Sequence, residues 1–231
     1  MRALAIETSA EVASLALFED GRVVASLEHH EAERHAERLF GLLEQLFRSA
    51  PFPKESLDCL LLGIGPGSFT GVRVGLSLGQ GLAVGWGLPM FGVTSLRSMA
   101  AEAMNGGKRI LCPLLDARKG DVFAAAYTEC GAELMAPFVL PGASVQEFFD
   151  SRLEGSEPVF LGSVTSTLPL RSPVLSGSPF DRPRAASFWR AVWPQGEATL
   201  SGASNRSPEP EYVREPNLLV PKLLASPFQT L

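Results

Sequence analysis

The sequence predicts an α/β protein assembled from two units of like topology, and three observations carry that prediction. The chain opens with three β-branched and aliphatic runs separated by turn chemistry and followed by an amphipathic helical stretch. After an Asn105-Gly106-Gly107 break the strand pattern begins again. With 231 residues, 45% hydrophobic and 19% charged, the chain is long and apolar enough to fill a core and too apolar for intrinsic disorder.

The elements follow in order. Leu4 to Glu7, Val12 to Phe18 and Arg22 to Leu27 read as strands, the last two joined by Glu19-Asp20-Gly21, whose Asp-Gly favours a tight hairpin turn. From Ala32 to Arg48, Leu39, Leu42, Leu43, Leu46 and Phe47 recur at helical spacing opposite a charged face, and Pro51 and Pro53 end the helix. Cys59 to Ile64 reads as a buried strand, Gly65 to Gly71 as a tight loop and Val72 to Trp86 as a helix. Met90 to Val93 is a short strand and Ser95 to Met104 another helix. In the second half, strands at Arg109 to Asp116 and Val122 to Thr128 form a hairpin through Ala117 to Asp121, with a helix at Val145 to Leu153 and a strand at Val159 to Gly162. Prolines and serines thin out the periodicity from Ser163 to Arg184. Two units, 1–106 and 107–231, meeting at a cleft are therefore expected.

Glycine and proline divide between those halves. Ten of the 22 glycines lie between Gly63 and Gly92, whereas 11 of the 18 prolines follow residue 150. A net charge of −5 has the wrong sign for holding a polyanion by phosphate neutralisation, so a nucleic acid would reach this chain through a partner. Cys59, Cys112 and Cys130 are widely spaced, lack a CxxC pairing and are expected as buried, reduced thiols. The opening residues do not resemble a signal peptide and no uncharged apolar run reaches about 18 residues, so a cytoplasmic protein without membrane contact is expected.

The stretch Gly65-Pro66-Gly67-Ser68-Phe69-Thr70-Gly71 sits between a strand and a helix, where free backbone N–H groups and the helix dipole favour an anion. Ser68 and Thr70 add hydroxyls and are candidate N-caps. Val72-Arg73 after Gly71 excludes a Walker A loop, and Thr70 occupies the place of the third glycine of a dinucleotide fingerprint. A turn without a ligand and a phosphate-type site both remain open. The helix then carries Gly71, Gly75 and Gly79 four residues apart; glycine in a helix costs roughly 0.5–1 kcal/mol relative to alanine, which calls for close approach of another backbone. That neighbour is the chain's own sheet, a partner's helix, or both. Gly75-Leu76-Ser77-Leu78-Gly79 spells a nucleophile elbow but lies inside a helix with no histidine after it. His29, His30 and His35 miss HExxH spacing and read as helix-end residues. Asp116 ends an apolar strand, where α/β ligands bind, and Arg118 could reach a phosphate or a partner carboxylate; a charged hairpin turn explains the same residues.

Taken together, Met1 to Thr8, the GPGSFTGVRVG stretch from Gly65 to Gly75, Gly79-Gln80-Gly81-Leu82-Ala83, Gly92 to Leu96, Asp116-Ala117-Arg118 and Pro210-Glu211-Tyr212-Val213-Arg214 resemble the bacterial TsaB (YeaZ) family. The resemblance covers essentially the whole chain, thinning between about Ser151 and Leu200. It implies an actin-like ATPase (ASKHA) architecture of two ribonuclease H-like domains. It further implies a non-catalytic paralogue of TsaD, the subunit that transfers a threonylcarbamoyl group to tRNA, in forming N6-threonylcarbamoyladenosine at position 37 of tRNAs reading ANN codons. The implied partners are a TsaD-like subunit, paired through N-terminal helices, and the ATPase TsaE; tRNA is met only through the complex. A homodimer is the counterpart when the partner is absent.

On this resemblance Thr8, Ser9, Gly65, Gly67, Ser68, Thr70, Asp116 and Arg118 are candidates for nucleotide or anion binding, with ATP or ADP and magnesium at the cleft or heterodimer. His35, Leu39, Leu42, Leu43, Arg73, Gly75 and Gly79 are candidates for the partner interface, and Tyr212 and Arg214 for a structural or partner contact. No catalytic residue and no metal ligand is assigned. Glu7 departs from the Asp common in the family's Ile-Asp-Thr, and a longer carboxylate would crowd a phosphate or magnesium. The competing reading is a stand-alone ATPase or glycoprotease-like enzyme of the same fold.

Overall fold

A computed structural model of the chain describes residues 1–30, 35–153, 156–194, 200 and 208–213. The first half forms strands β1 (Arg2–Glu7), β2 (Ala13–Glu19) and β3 (Arg22–His29), helix α1 (His35–Arg48), strand β4 (Cys59–Gly65), helix α2 (Phe69–Trp86), strand β5 (Met90–Thr94) and helix α3 (Ser95–Ala101). The second forms β6 (Ile110–Asp116), β7 (Asp121–Thr128), β8 (Glu133–Pro141), α4 (Val145–Arg152), β9 (Pro158–Leu161), β10 (Val174–Leu175) and α5 (Phe188–Val192). The sheets run β3-β2-β1-β4-β5 and β10-β9-β6-β7-β8. Each has three antiparallel strands in sequence, then two that join in parallel on the far side of the first. The two orders are the same order, which is the duplicated ribonuclease H-like topology of the actin-like architecture.

Side-chain alternation explains how the layers stack. On β1, Leu4 and Ile6 face a cluster with Leu39, Leu43 and Leu46 of α1 and Val72 and Leu76 of α2. Ala3 and Ala5 face the other way, into a core shared with α3 and the second sheet. Helix α3 contacts β4 and β5 on one side and β6 and β7 on the other, and its Leu96, Met99, Ala100 and Ala101 are wholly buried. Burying a Leu or Met side chain stabilises by roughly 1.5–3 kcal/mol, so Leu96 and Met99 make α3 an apolar bond between the sheets. A third cluster, around Phe149 and Phe160, packs α4 on the outer face of the second sheet.

Strand β10 and three further features differ from the sequence expectation. Strand β8 lies where no strand was expected; its register shifts against β7 and its Pro137 dilute the alternation that marks a strand. Helix α5 emerges from the proline-rich half yet packs on the first sheet, with Trp189 against Phe18 at 5.7 Å and Trp193 against Phe91 at 5.1 Å between ring centroids. Cys130 is exposed, unlike the buried Cys59 and Cys112. Burial and the neighbouring Asp58 push the Cys59 thiol up to about 12.

The segment leading to α5 is tied to the first half by polar contacts. The Ala185 N–H donates to Ser14 Oγ at 2.9 Å and the Arg184 N–H to Ser98 Oγ at 3.1 Å. Glu28 on β3 receives Arg182 and Arg184, each at 2.8 Å, while Asp181 pairs with the same two guanidiniums.

Candidate functional site: the glycine loop and the helices beside it

The loop after β4 is shaped by its sequence. Gly65 adopts φ +90°, a conformation that L side chains rarely take, and turns the chain away from the sheet. Ser68 then caps α2, its Oγ accepting from the Gly71 N–H at 3.2 Å, so the helix begins at Phe69 and Thr70 lies within the first turn rather than capping it. The Ser68 N–H donates to the Ser9 carbonyl at 2.7 Å. Thr8 Oγ1 donates to the Gly71 carbonyl at 2.7 Å, and Ser9 Oγ shares a 2.6 Å hydrogen bond with Ser95 Oγ. The end of β1 is therefore stitched to the loop and to the start of α3.

Glu7 lies at the centre of this corner and is fully buried. Its Oε1 accepts from the Ser9 N–H at 2.5 Å, whereas Oε2 has no hydrogen-bond partner and presses on Gly63, where a Cβ would stand 2.7 Å from it. Burial raises the carboxyl above its ordinary range, opposed by hydrogen bonds from Ser9 and Thr8.

The structure thus brings Thr8, Ser9, Gly65, Gly67 and Ser68 together. Thr8 and Ser9 are 1% and 3% exposed, with their hydroxyls bonded to the chain itself, while Gly67, Ser68 and Thr70 reach the surface. Asp116 and Arg118 stand at the end of β6 in the other sheet. The Asp116 carboxylate accepts the Arg118 N–H at 2.7 Å within a turn where Arg118 has φ +65°. Among the described residues no three His, Cys, Asp or Glu side chains form a metal-binding group.

The residue pairs expected at a partner interface separate into two kinds. Gly75 and Gly79 face inward: a methyl at Gly75 would overlap Thr8 Oγ1, and one at Gly79 would overlap the Leu62 side chain. Of the neighbours left open by the sequence, the chain's own sheet fills that place. Leu39 and Leu43 are likewise buried in the core beneath α1, Leu42 is half-buried, and His35 opens the helix. Arg73 is exposed. Its guanidinium lies 3.8 Å from the Phe69 ring centroid and donates to the Tyr212 hydroxyl at 3.0 Å. The Glu211 N–H donates to the Ile64 carbonyl at 2.8 Å, so the Pro210–Val213 stretch docks beside the loop, and Arg214 lies outside the described residues.

Phe40 and Val84, which sequence reasoning passed over, are exposed, as are Gly81 and Gly85, a second four-residue glycine spacing in the sequence. Phe40 on α1 is 65% exposed and Val84 on α2 is 85% exposed. Gly81 and Gly85 have no atom within 4 Å of where a Cβ would stand. The signal was present: Phe40 falls off the Leu39, Leu43, Leu46 stripe, and Gly81 and Gly85 fall off the Gly71, Gly75, Gly79 row.

The comparisons with known proteins agree on one family. A family model described as TsaD, tRNA N6-adenosine threonylcarbamoyltransferase, matches residues 24–146. The chain is similar to the tRNA threonylcarbamoyladenosine biosynthesis protein TsaB of Escherichia coli (strain K12), 43% identical over 129 residues, 55% of each chain, so the match spans about half that relative's length. With the protein of the same description from Bacillus subtilis (strain 168) it is 30% identical over 169 residues, 72% of each. Among solved structures it is similar to YeaZ from Pseudomonas aeruginosa, at a TM-score of 0.72 and 28% identity, covering 91% of this chain and 99% of that one.

Proposed function

The chain belongs to the TsaB (YeaZ) family, and from that membership we propose that it is a non-catalytic, activating subunit of the assembly that forms N6-threonylcarbamoyladenosine at position 37 of tRNAs reading ANN codons. Its role is to pair with a TsaD-like catalytic subunit through α1 and α2 and to present that pair to a TsaE-like ATPase. tRNA is held through the assembly rather than by this acidic chain on its own. The observation that carries the reading is the outward face of the two helices. On α2, Val84 exposes a large apolar side chain between Gly81 and Gly85, which leave room for another backbone to approach, and on α1 Phe40 is likewise exposed. Exposed apolar surface of this kind on a protein of net charge −5 is accounted for when a partner covers it.

The glycine loop supports an accessory role over a stand-alone enzyme. Two of the N–H donors there are bonded internally, Ser68 N–H to Ser9 and Gly71 N–H to Ser68 Oγ, and the Glu7 carboxyl at the end of β1 is buried away from solvent. With Glu7 buried, this corner serves the fold rather than a nucleoside triphosphate with its metal. We read Thr8, Ser9 and Glu7 as the structural joint between β1, α2 and α3.

The test is copurification with the TsaD-like subunit. Val84→Glu puts a charge on an exposed site and leaves the fold intact, and it is expected to abolish the heterodimer; a variant that copurifies undiminished overturns the interface. The same face suits a second copy of the chain, so sedimentation of the isolated protein should show a dimer that the same substitution dissociates.

A further inference from the structure

On the side of the first sheet away from α1 and α2, the turn between β2 and β3, the end of α3 and helix α5 enclose an open concavity of about 490 Å³. Phe18, Trp189 and Trp193 line its floor, the two indoles packed at 4.7 Å between centroids. Gly21 sits in the turn at φ +82° with no side chain to cover Trp189, whose Nε1 lies 3.0 Å from where a Cβ would stand. Arg22 and Arg190 stand exposed at the rim.

The polar groups around this hollow are unequally occupied. Of its two carboxylates, Asp20 is paired with the N-terminal ammonium, which lowers its carboxyl below the ordinary range, and Glu102 accepts from the Ser187 hydroxyl. Among the described residues, the guanidiniums of Arg22 and Arg190 have no ion pair, and the indole N–H groups of Trp189 and Trp193 have no acceptor. Apart from the second oxygen of each carboxylate, the uncommitted side-chain groups are donors, and two of them are planar forks that match phosphate or carboxylate oxygens bidentately. The volume lies in the range of roughly 300–1,000 Å³ typical of small-molecule sites and exceeds what a bare anion fills. The aromatic and aliphatic floor suits the body of such a ligand.

We propose that this concavity binds a phosphate-bearing ligand of mononucleotide size, free or as one unit of an RNA strand, with Arg22 and Arg190 on the phosphate and the Trp189 and Trp193 edges against the rest. The site is independent of the α1–α2 face and lies apart from the glycine loop.

The three indole N–H signals of the full-length chain report on it directly in a nitrogen-15 correlation spectrum, because Trp86 packs by Phe47 at the end of α2 and serves as the unaffected control. Adenosine monophosphate, inorganic phosphate and a short single-stranded RNA are titrated separately. Saturable movement of the Trp189 and Trp193 signals with Trp86 unmoved, weakened at least tenfold by Arg190→Gln and by Arg22→Gln in variants of unchanged melting temperature, is the expected result. Saturation by the nucleotide alone identifies a free ligand, and tighter saturation by RNA identifies a strand. No saturable movement with either, equal affinity for inorganic phosphate, or indifference to both arginine substitutions would overturn the site.

Discussion

Glu7 is the residue at which the physical argument is most exposed to test. Its carboxyl is raised in the folded state, so the native protein holds a proton that the unfolded chain releases, and stability must fall as pH climbs from the ordinary glutamate range through the folded value. Glu7→Gln should remove that decline and be more stable than the parent at pH 8 while losing its advantage near pH 4, as urea titrations at the two pH values would report. Glu129 has the opposite sign. Burial opposes its charge, but Arg109, through hydrogen bonds and a salt bridge, holds the carboxyl below its usual range, so this contribution is lost as pH falls below that range. The helical glycines give a second contrast. Gly75→Ala should cost about 1–3 kcal/mol by overpacking on Thr8, whereas Gly81→Ala, open to solvent, should gain roughly 0.5–1 kcal/mol of helix propensity. At this scale the sequence revealed that Glu7 was unusual and that the glycines needed a close neighbour. It did not reveal which neighbour, because a row at four-residue spacing fixes a face of the helix and not what lies against it.

At the scale of elements, strands and helices with clean periodicity were legible: β1 to β5, α1, α2 and α3 lie within a few residues of expectation, and the Ser68 cap explains why α2 starts three residues early. The less legible elements share a cause. Strand β8 is irregular, β10 is only Val174–Leu175, and α5 is five residues long, so none offers enough repeats for a period to register. Helix α5 is held by long-range contacts that no local pattern encodes, the Glu28 network among them. Glu28→Ala leaves two partly buried guanidiniums to Asp181 alone and should cost about 1 kcal/mol, with faster amide exchange across 181–192 and little change in α4. Unchanged exchange in that stretch would show that aromatic packing alone holds α5.

For the whole molecule, the repeated strand order joins two sheets around α3, while the C-terminal segments return to the first sheet at α5 and at Tyr212. The duplicated architecture was visible in the sequence because the hairpin pattern recurs. The division of the α1–α2 surface into a buried and an outward face was not, since it depends on how the helices roll on the sheet. The proposed role in association rests at this scale on the exposed Phe40 and Val84 of α1 and α2. The most direct test is the amount of N6-threonylcarbamoyladenosine in tRNA from cells depleted of this protein and resupplied with the parent chain or Val84→Glu. The nucleoside should disappear on depletion, return with the parent and fail to return with the variant; a level unchanged by depletion would contradict the account.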